Sequence, residues 1–146
     1  FWLQQTSRKN PTATSQAIKL LEQAYAINQP RRNQVYDKHG LCYMLGHLYL
    51  VEGKNPAKAL QVLDAATSQG IKDFAQLDKV QQDWLLFSFR DKVLAYRRLG
   101  LHEKAVETCK QALALPPPFR DDKALVTTLR RETRALEKRA KTVPPQ

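Results

Sequence analysis

The chain has 146 residues, 42% of them hydrophobic and 26% charged, which suits a single soluble domain. Its 24 Lys and Arg outweigh 14 Asp and Glu, and a net charge of +10 attracts polyanions without selecting any one of them. Five glycines and little β-branched alternation argue against a β-sandwich or barrel, and no apolar run is long enough to insert into a membrane.

Two cysteines are too few for a disulfide framework, so we expect an intracellular, reducing compartment. The cytoplasm or nucleus fits best, and an organelle stays open. The start, Phe1-Trp2-Leu3-Gln4, lacks Met and the charged beginning of a signal peptide. We therefore expect a fragment that belongs to a larger chain or complex.

Pro and Gly residues mark the starts and ends of the first three predicted helices. A helix follows Asn10-Pro11 and ends at Asn28, before Gln29-Pro30. A second covers 33–52, where apolar residues recur at steps of three and four, and Gly53 ends it. Asn55 is predicted to cap the third, with Pro56 in its first turn, and Gly70 to end it.

Three more helices are predicted in the second half. Asp73 is expected to cap a long helix that reaches Leu99, where Gly100 closes it. Residues 101–115 form the next, stopped by the three prolines at 116–118, and 119–142 form the last. With no credible strand, the predicted fold class is all-α.

Three of these helices share one spacing of small residues. Each has an alanine, a medium-sized residue four positions later and a second alanine three positions after that, so the backbone can approach a neighbouring helix closely. Helix, glycine, helix and proline repeated three times predicts an array of αα-hairpins. The segments are Ala17–Ala24, Ala59–Ala66 and Ala105–Ala112.

This array resembles the tetratricopeptide repeat family over most of residues 12–118. The matching positions are Leu45-Gly46-x-x-Tyr49…Gly53…Ala59…Ala66 and Tyr96…Gly100…Ala105…Ala112…Pro117. The repeats are degenerate and long, because the second alanine recurs after 42 residues (24 to 66) and 46 residues (66 to 112), against the usual 34.

The resemblance implies a right-handed stack of antiparallel helix hairpins, a tetratricopeptide-like α-solenoid forming one domain. We divide it into a partial hairpin at 1–30, hairpins at 33–70 and 73–117, and a basic capping helix at 119–142.

No constellation of residues points to catalysis. There is no glycine-rich phosphate loop, nucleophile elbow or zinc-protease motif, so we predict no enzyme and no cofactor. Cys42, His39 and His47 lie within nine positions and invite a metal site. A tetrahedral metal site would need further ligands from elsewhere in the chain. Cys42 and Cys109 occupy helix-packing positions, so a structural role is favoured for the cysteines and no metal is predicted.

The first helix of each hairpin is expected to line a concave groove. Aromatic and Met side chains give apolar area at low entropy cost, and arginines pair with carboxylates, which suits a partner peptide or helix. The leading prediction is thus a non-catalytic adaptor, scaffold or assembly subunit, although the same residues could pack against a further helix. The predicted groove residues are Tyr43, Met44, His47, Phe87, Arg90 and Arg97.

The family's carboxylate clamp for chaperone tails is not matched. Met44 stands where the clamp has Asn, and Phe87 and Asp91 stand where it has Lys and Arg, so this class of partner is disfavoured.

The last helix carries a basic stripe about 27 Å long. It could be the solvated face of a capping helix, an acidic-protein surface or a nucleic-acid surface, most plausibly for RNA, although no aromatic residue is present for base stacking. The predicted polyanion-binding residues are Lys123, Arg130, Arg134, Lys138 and Lys141.

Overall fold

The computed structural model describes residues 11–28 and 35–142, and every regular element within these ranges is helical. The all-α class is confirmed, whereas the handedness of the stack stays a prediction. None of the described helices combines the length and apolarity needed to cross a membrane. Phe1–Arg8 of the predicted partial hairpin lie outside the described residues. The helices are α1 (Pro11–Asn28), α2 (Val35–Val51), α3 (Pro56–Lys72), α4 (Lys79–Arg98), α5 (His102–Leu113) and α6 (Lys123–Thr142).

Each helix packs against the next one along the chain, and α2 also packs against α4. Only residues 52–55 join α2 to α3, and only residues 99–101 join α4 to α5, so each of these packed pairs is an antiparallel hairpin. Because α2 and α4 are the first helices of the two hairpins, their contact brings one face of each helix onto a shared surface. We call these adjoining faces the groove surface.

Local capping explains where α3 begins and α4 ends. Asn55 Oδ1 accepts a hydrogen bond from Lys58 N at 3.1 Å, and Pro56 occupies the first turn, as predicted. Gly100, the predicted stop, has φ +74°, a left-handed conformation that glycine adopts without a Cβ penalty.

The predicted cap at Asp73 is wrong. The third helix continues past Gly70 by two residues, and the fourth helix starts only after Asp78. Asp78 Oδ1 accepts from Gln81 N at 2.8 Å, and Gln81 Oε1 accepts from Asp78 N at 3.0 Å. This reciprocal pair satisfies two backbone donors at once, whereas the Asp73 carboxylate accepts from Gln69 at 2.8 Å. Between the two helices lies a single 3-10 turn, Phe74–Gln76.

The last helix begins at Lys123 rather than at 119. Asp122 Oδ2 accepts from Leu125 N at 3.0 Å, which satisfies an open donor of the first turn of α6. The preceding Phe119 is fully buried and makes edge contacts with Phe74 and Phe89 at centroid distances of 5.6 and 6.4 Å. Packing of Phe119 and capping by Asp122 together delay the helix start.

Small residues set the closest helix contacts. A Cβ added to Gly46 on α2 would lie 2.6 Å from Leu63 Cδ2 on α3. The close packing of these two helices therefore leaves no room for a side chain at this glycine of the repeat motif. A Cβ at Gly70 would lie 2.4 Å from Leu85 Cδ1. In the first predicted alanine pair, Ala17 is buried and Ala24 is only partly buried. The fully buried repeat alanines are Ala17, Ala59, Ala66, Ala105 and Ala112.

The fourth helix is the centre of the packing, since it contacts α2, α3 and α5. Leu85, Leu86 and Phe89 are buried while Phe87 is 37% exposed, so the apolar residues of α4 at 85–89 are covered on most sides. Lys92 is also buried. Its Nζ lies 2.9 Å from an Asp64 carboxylate oxygen, so α3 supplies the balancing charge.

Candidate partner-binding groove

The predicted groove residues of α2 and α4 meet where the two helices pack. Tyr43 and His47 lie one turn apart on α2, and Phe87 and Asp91 lie one turn apart on α4. The Tyr43 ring centroid is 5.6 Å from that of His47 and 5.6 Å from that of Phe87, with tilted planes in both cases. Three predicted residues therefore form one aromatic cluster across two helices.

A hydrogen bond holds this cluster together. His47 Nδ1 donates to Asp91 Oδ2 at 2.8 Å, and both side chains are mostly buried. Burial first, and then the nearby Asp91 carboxylate, raise the pKa of Tyr43 to about 12, while Arg90 opposes the rise. The Tyr43 hydroxyl therefore stays protonated even in mildly alkaline solution.

Arg90 is engaged on two sides. Its guanidinium lies 5.6 Å from the Phe87 ring centroid, in cation–π contact. It also forms a two-pronged ion pair with Asp122 at the start of α6, with Nε 3.3 Å from Oδ2 and Nη2 bonded to Oδ1. The predicted free carboxylate-binding arginine is thus occupied by a carboxylate of its own chain.

Arg97 is engaged in the same way, farther along α4. Its Nε lies 2.5 Å from Glu132 Oε1, and the other oxygen of Glu132 bonds to His102 Nδ1. Glu132 is buried, so one carboxylate of α6 links α4 to the first turn of α5. Arg97 is ten residues from Phe87, about 15 Å along the helix, and lies apart from the aromatic cluster.

The open part of the groove surface is therefore apolar. Phe87 is the most exposed of its aromatic residues, and Tyr43 and Met44 are partly exposed beside it. The charges around them are internally matched, since His47 pairs with Asp91 and Arg90 with an acid of α6.

Sequence reasoning missed the acids that pair with the arginines. Asp122 was placed inside the last helix, and its capping role was not predicted. Glu132 offered a usable signal, because it occupies an apolar position of α6 four or three residues from leucines. An acid on the buried face of an amphipathic helix requires a basic partner in a neighbouring element.

The predicted polyanion-binding residues all lie on the exposed side of α6. None of them lies within 4.0 Å of an acidic group in the described part of the chain, whose ion pairs involve other side chains. Arg131 is exposed alongside them. We call the following set the basic face of α6: Lys123, Arg130, Arg131, Arg134, Lys138 and Lys141.

The two cysteines lie in separate hydrophobic clusters and are not joined by a disulfide. Cys42 is 1% exposed and Cys109 fully buried, as a packing role requires. Burial, together with nearby Glu132, raises the pKa of Cys109 to about 11 against the opposing effect of Arg97, so the thiol stays protonated. Among the described residues, no three His, Cys, Asp or Glu side chains are grouped as metal ligands.

Part of the chain matches a known protein family. Residues 91–119, from the second half of α4 through α5 to Phe119, match the model of the tetratricopeptide repeat family. No curated protein and no solved structure matches the chain. The matched segment contains Tyr96, Gly100, Ala105 and Ala112; both alanines are fully buried, and Gly100 follows α4 with φ +74°. These findings support a tetratricopeptide-repeat-like helical family for this chain.

Proposed function

We propose that the chain is a non-catalytic protein-interaction module, an adaptor or scaffold subunit that binds a peptide or helix of a partner protein on its groove surface. The tetratricopeptide repeat match suggests a protein–protein interaction role. The observation that carries the proposal is the cluster of Tyr43 and Phe87, contributed by two helices and left partly open at Phe87.

Phe87 and Tyr43 are suited to anchor an apolar side chain. Both rings are fixed by contacts with neighbours, so little rotamer entropy is lost when a partner covers them. Met44, next to Tyr43 in sequence and also partly exposed, offers an adaptable apolar contact at the edge.

The arrangement of charge indicates what the partner contributes. A partner carboxylate aimed at Arg90 has to compete with Asp122, whose ion pair is already two-pronged. A neutral, apolar side chain meets no such competition. We therefore propose that an apolar residue of the partner provides the anchor on Phe87 and that polar contacts surround it.

The partner is to be identified by affinity capture and mass spectrometry, with and without nuclease, and its affinity then measured with variants. Replacing both Tyr43 and Phe87 by alanine should weaken binding by about 30-fold or more, as for aromatic residues at interface centres. Val80→Ala is the matched control, because Val80 is exposed on the same helix but lies outside the cluster.

Far-UV circular dichroism should show unchanged helix content for all variants. If the double variant binds the identified partner as tightly as the wild type, the groove surface is not the binding site. Capture that disappears with nuclease indicates a nucleic-acid tether and contradicts a direct protein interaction.

We also propose that the chain works in a reducing intracellular compartment, with the cytoplasm or nucleus favoured. Cys42 and Cys109 are both buried and form no disulfide, which supports this.

A further inference from the structure

We infer that the basic face of α6 binds the phosphate backbone of double-helical RNA. This function is separate from protein binding on the groove surface, and it uses the side of α6 that points away from the other described helices. The inference depends on the position of the basic residues, their excess over acidic residues on the exposed side of α6, and the shape of the exposed helix.

The basic face is a continuous strip. At about 100° per residue, its six members lie within an arc of about 100°, centred opposite Leu125, which is 1% exposed. From Lys123 to Lys141 the strip is about 27 Å long at 1.5 Å per residue. Its side chains therefore project in one direction over five turns of helix.

None of the six basic side chains of this strip forms an ion pair within 4.0 Å in the described part of the chain. The helix macrodipole favours basic residues in the last turn, such as Lys141, but it does not favour arginines in the middle of the helix. Arg130, Arg134 and Lys138 follow one another at steps of four, an arrangement in which like charges repel. The only acidic side chain exposed on α6 is Glu137. A polyanion would relieve this repulsion.

The exposed face is unsuited to a lipid bilayer or to a protein partner. An interfacial helix inserts its apolar side, but Leu125 and Leu129 of α6 pack into the core with α4 and α5. Protein interfaces need a desolvated apolar centre, and apart from small alanines near the helix ends the exposed face has no apolar side chain. A row of guanidinium and ammonium groups fits repeated phosphates.

The shape favours double-helical RNA among nucleic acids. Single strands are held by stacking of bases on aromatic residues, and α6 has none. From Leu125 to Leu136 one side of α6 packs against the domain, whereas residues 137–141 are all exposed. Along the packed part, only about half of the helix diameter, roughly 5–6 Å, projects. This is too little to reach the floor of the B-DNA major groove, about 8.5 Å deep. The A-form minor groove is wide and shallow and is read through its backbone and 2′-hydroxyls.

The test is fluorescence anisotropy of the 146-residue chain with a labelled RNA duplex of about 20 base pairs at several salt concentrations. With six phosphate contacts, log K should fall with log[salt] with a slope of roughly −5, so affinity drops about 10³-fold between about 50 and 200 mM salt. The combined variant Arg130→Gln, Arg134→Gln, Lys138→Gln should reduce the slope to roughly −3 and weaken low-salt binding by at least about 100-fold.

The control removes the same charge elsewhere. Lys19, Lys72 and Lys79 are exposed on other helices, and changing all three to Gln gives the same net charge of +7 (10 − 3). This control should bind within about threefold of the wild type, since it leaves the phosphate contacts intact. Arg130→Lys with Arg134→Lys keeps the charge and should keep the salt slope.

Four outcomes overturn the inference. The first is no binding to the RNA duplex at low salt, and the second is equal weakening by the two triple variants. The third is equal or tighter binding of a DNA duplex or a single-stranded RNA of the same sequence. The fourth is equal or tighter binding of polyglutamate, which would point to an acidic protein instead.

Discussion

Replacing Glu132 should destabilise the whole C-terminal part of the chain. Its buried carboxylate is bonded to Arg97 through one oxygen and to His102 through the other, so a single side chain connects α6 with α4 and α5. Glu132→Ala removes both bonds and leaves a small cavity. Glu132→Gln keeps the shape but puts an amide donor where both neighbours are donors.

The expected loss in the free energy of unfolding follows from the exposure of Arg97 and His102, the partners of Glu132. Removing one member of a fully buried ion pair costs about 3–5 kcal/mol because the other charge is left without water. The side chains of Arg97 and His102 are 31% and 30% exposed, so both can regain hydration. We therefore expect Glu132→Ala to lower the free energy of unfolding by about 2–3 kcal/mol, and Glu132→Gln by about 1–2 kcal/mol.

Urea unfolding at neutral pH, followed by circular dichroism at 222 nm, gives these differences from the midpoints when the slopes agree. Glu137→Ala is the matched control: Glu137 is an exposed glutamate on the same helix, and its loss should change stability by less than about 0.5 kcal/mol. A Glu132→Ala variant as stable as the Glu137→Ala variant would refute the role assigned to this carboxylate.

Three further changes test the packing and the charges. Gly46→Ala should cost about 1–3 kcal/mol in urea unfolding, because the new methyl group overlaps Leu63; an unchanged midpoint would contradict the close approach. The neutral form of Tyr43 is favoured in the fold, since burial and then Asp91 raise its pKa from 10.0 to about 12. Its stabilising contribution is complete below pH 10 and is lost as the pH rises towards 12, so wild-type stability should fall more steeply over this interval than that of Tyr43→Phe; parallel curves would refute this. Lys92→Met should leave thermal stability unchanged or raise it, because the apolar stem is kept and the acid paired with Lys92 is half exposed; a loss above about 2 kcal/mol would show that the ion pair is needed.

The sequence predicted the features that depend on neighbours along the chain. The all-α class follows from helix-period apolar patterns, and the buried repeat alanines follow from their seven-residue spacing. Gly100 could be assigned as a helix end because its role is local. The error at Asp73 shows the limit of such reasoning, because two acidic residues five positions apart both suit a cap. The choice of Asp78 depends on its reciprocal pairing with Gln81.

The groove surface could not be predicted from hydrophobic periodicity alone. The residues of α2 and α4 were assigned to a shared surface from the repeat pattern, and the structure brings Tyr43, His47 and Phe87 together. The engagement of Arg90 and Arg97 could not be predicted, because it depends on how α6 lies against α4. That placement is decided by packing of Phe119 and Leu125, far from either arginine in sequence.

The carboxylate of Asp122 bonds to two helices, α4 and α6. Its Oδ2 accepts from both Arg90 Nε and Leu125 N. A molecule that draws Arg90 away from Phe87 also withdraws it from this oxygen, which then serves the backbone of α6 alone. A change that removes the aspartate loosens the first turn of α6 and frees the guanidinium above the aromatic ring. The contact of Arg90 with Phe87 and the first turn of α6 are thereby linked through one carboxylate.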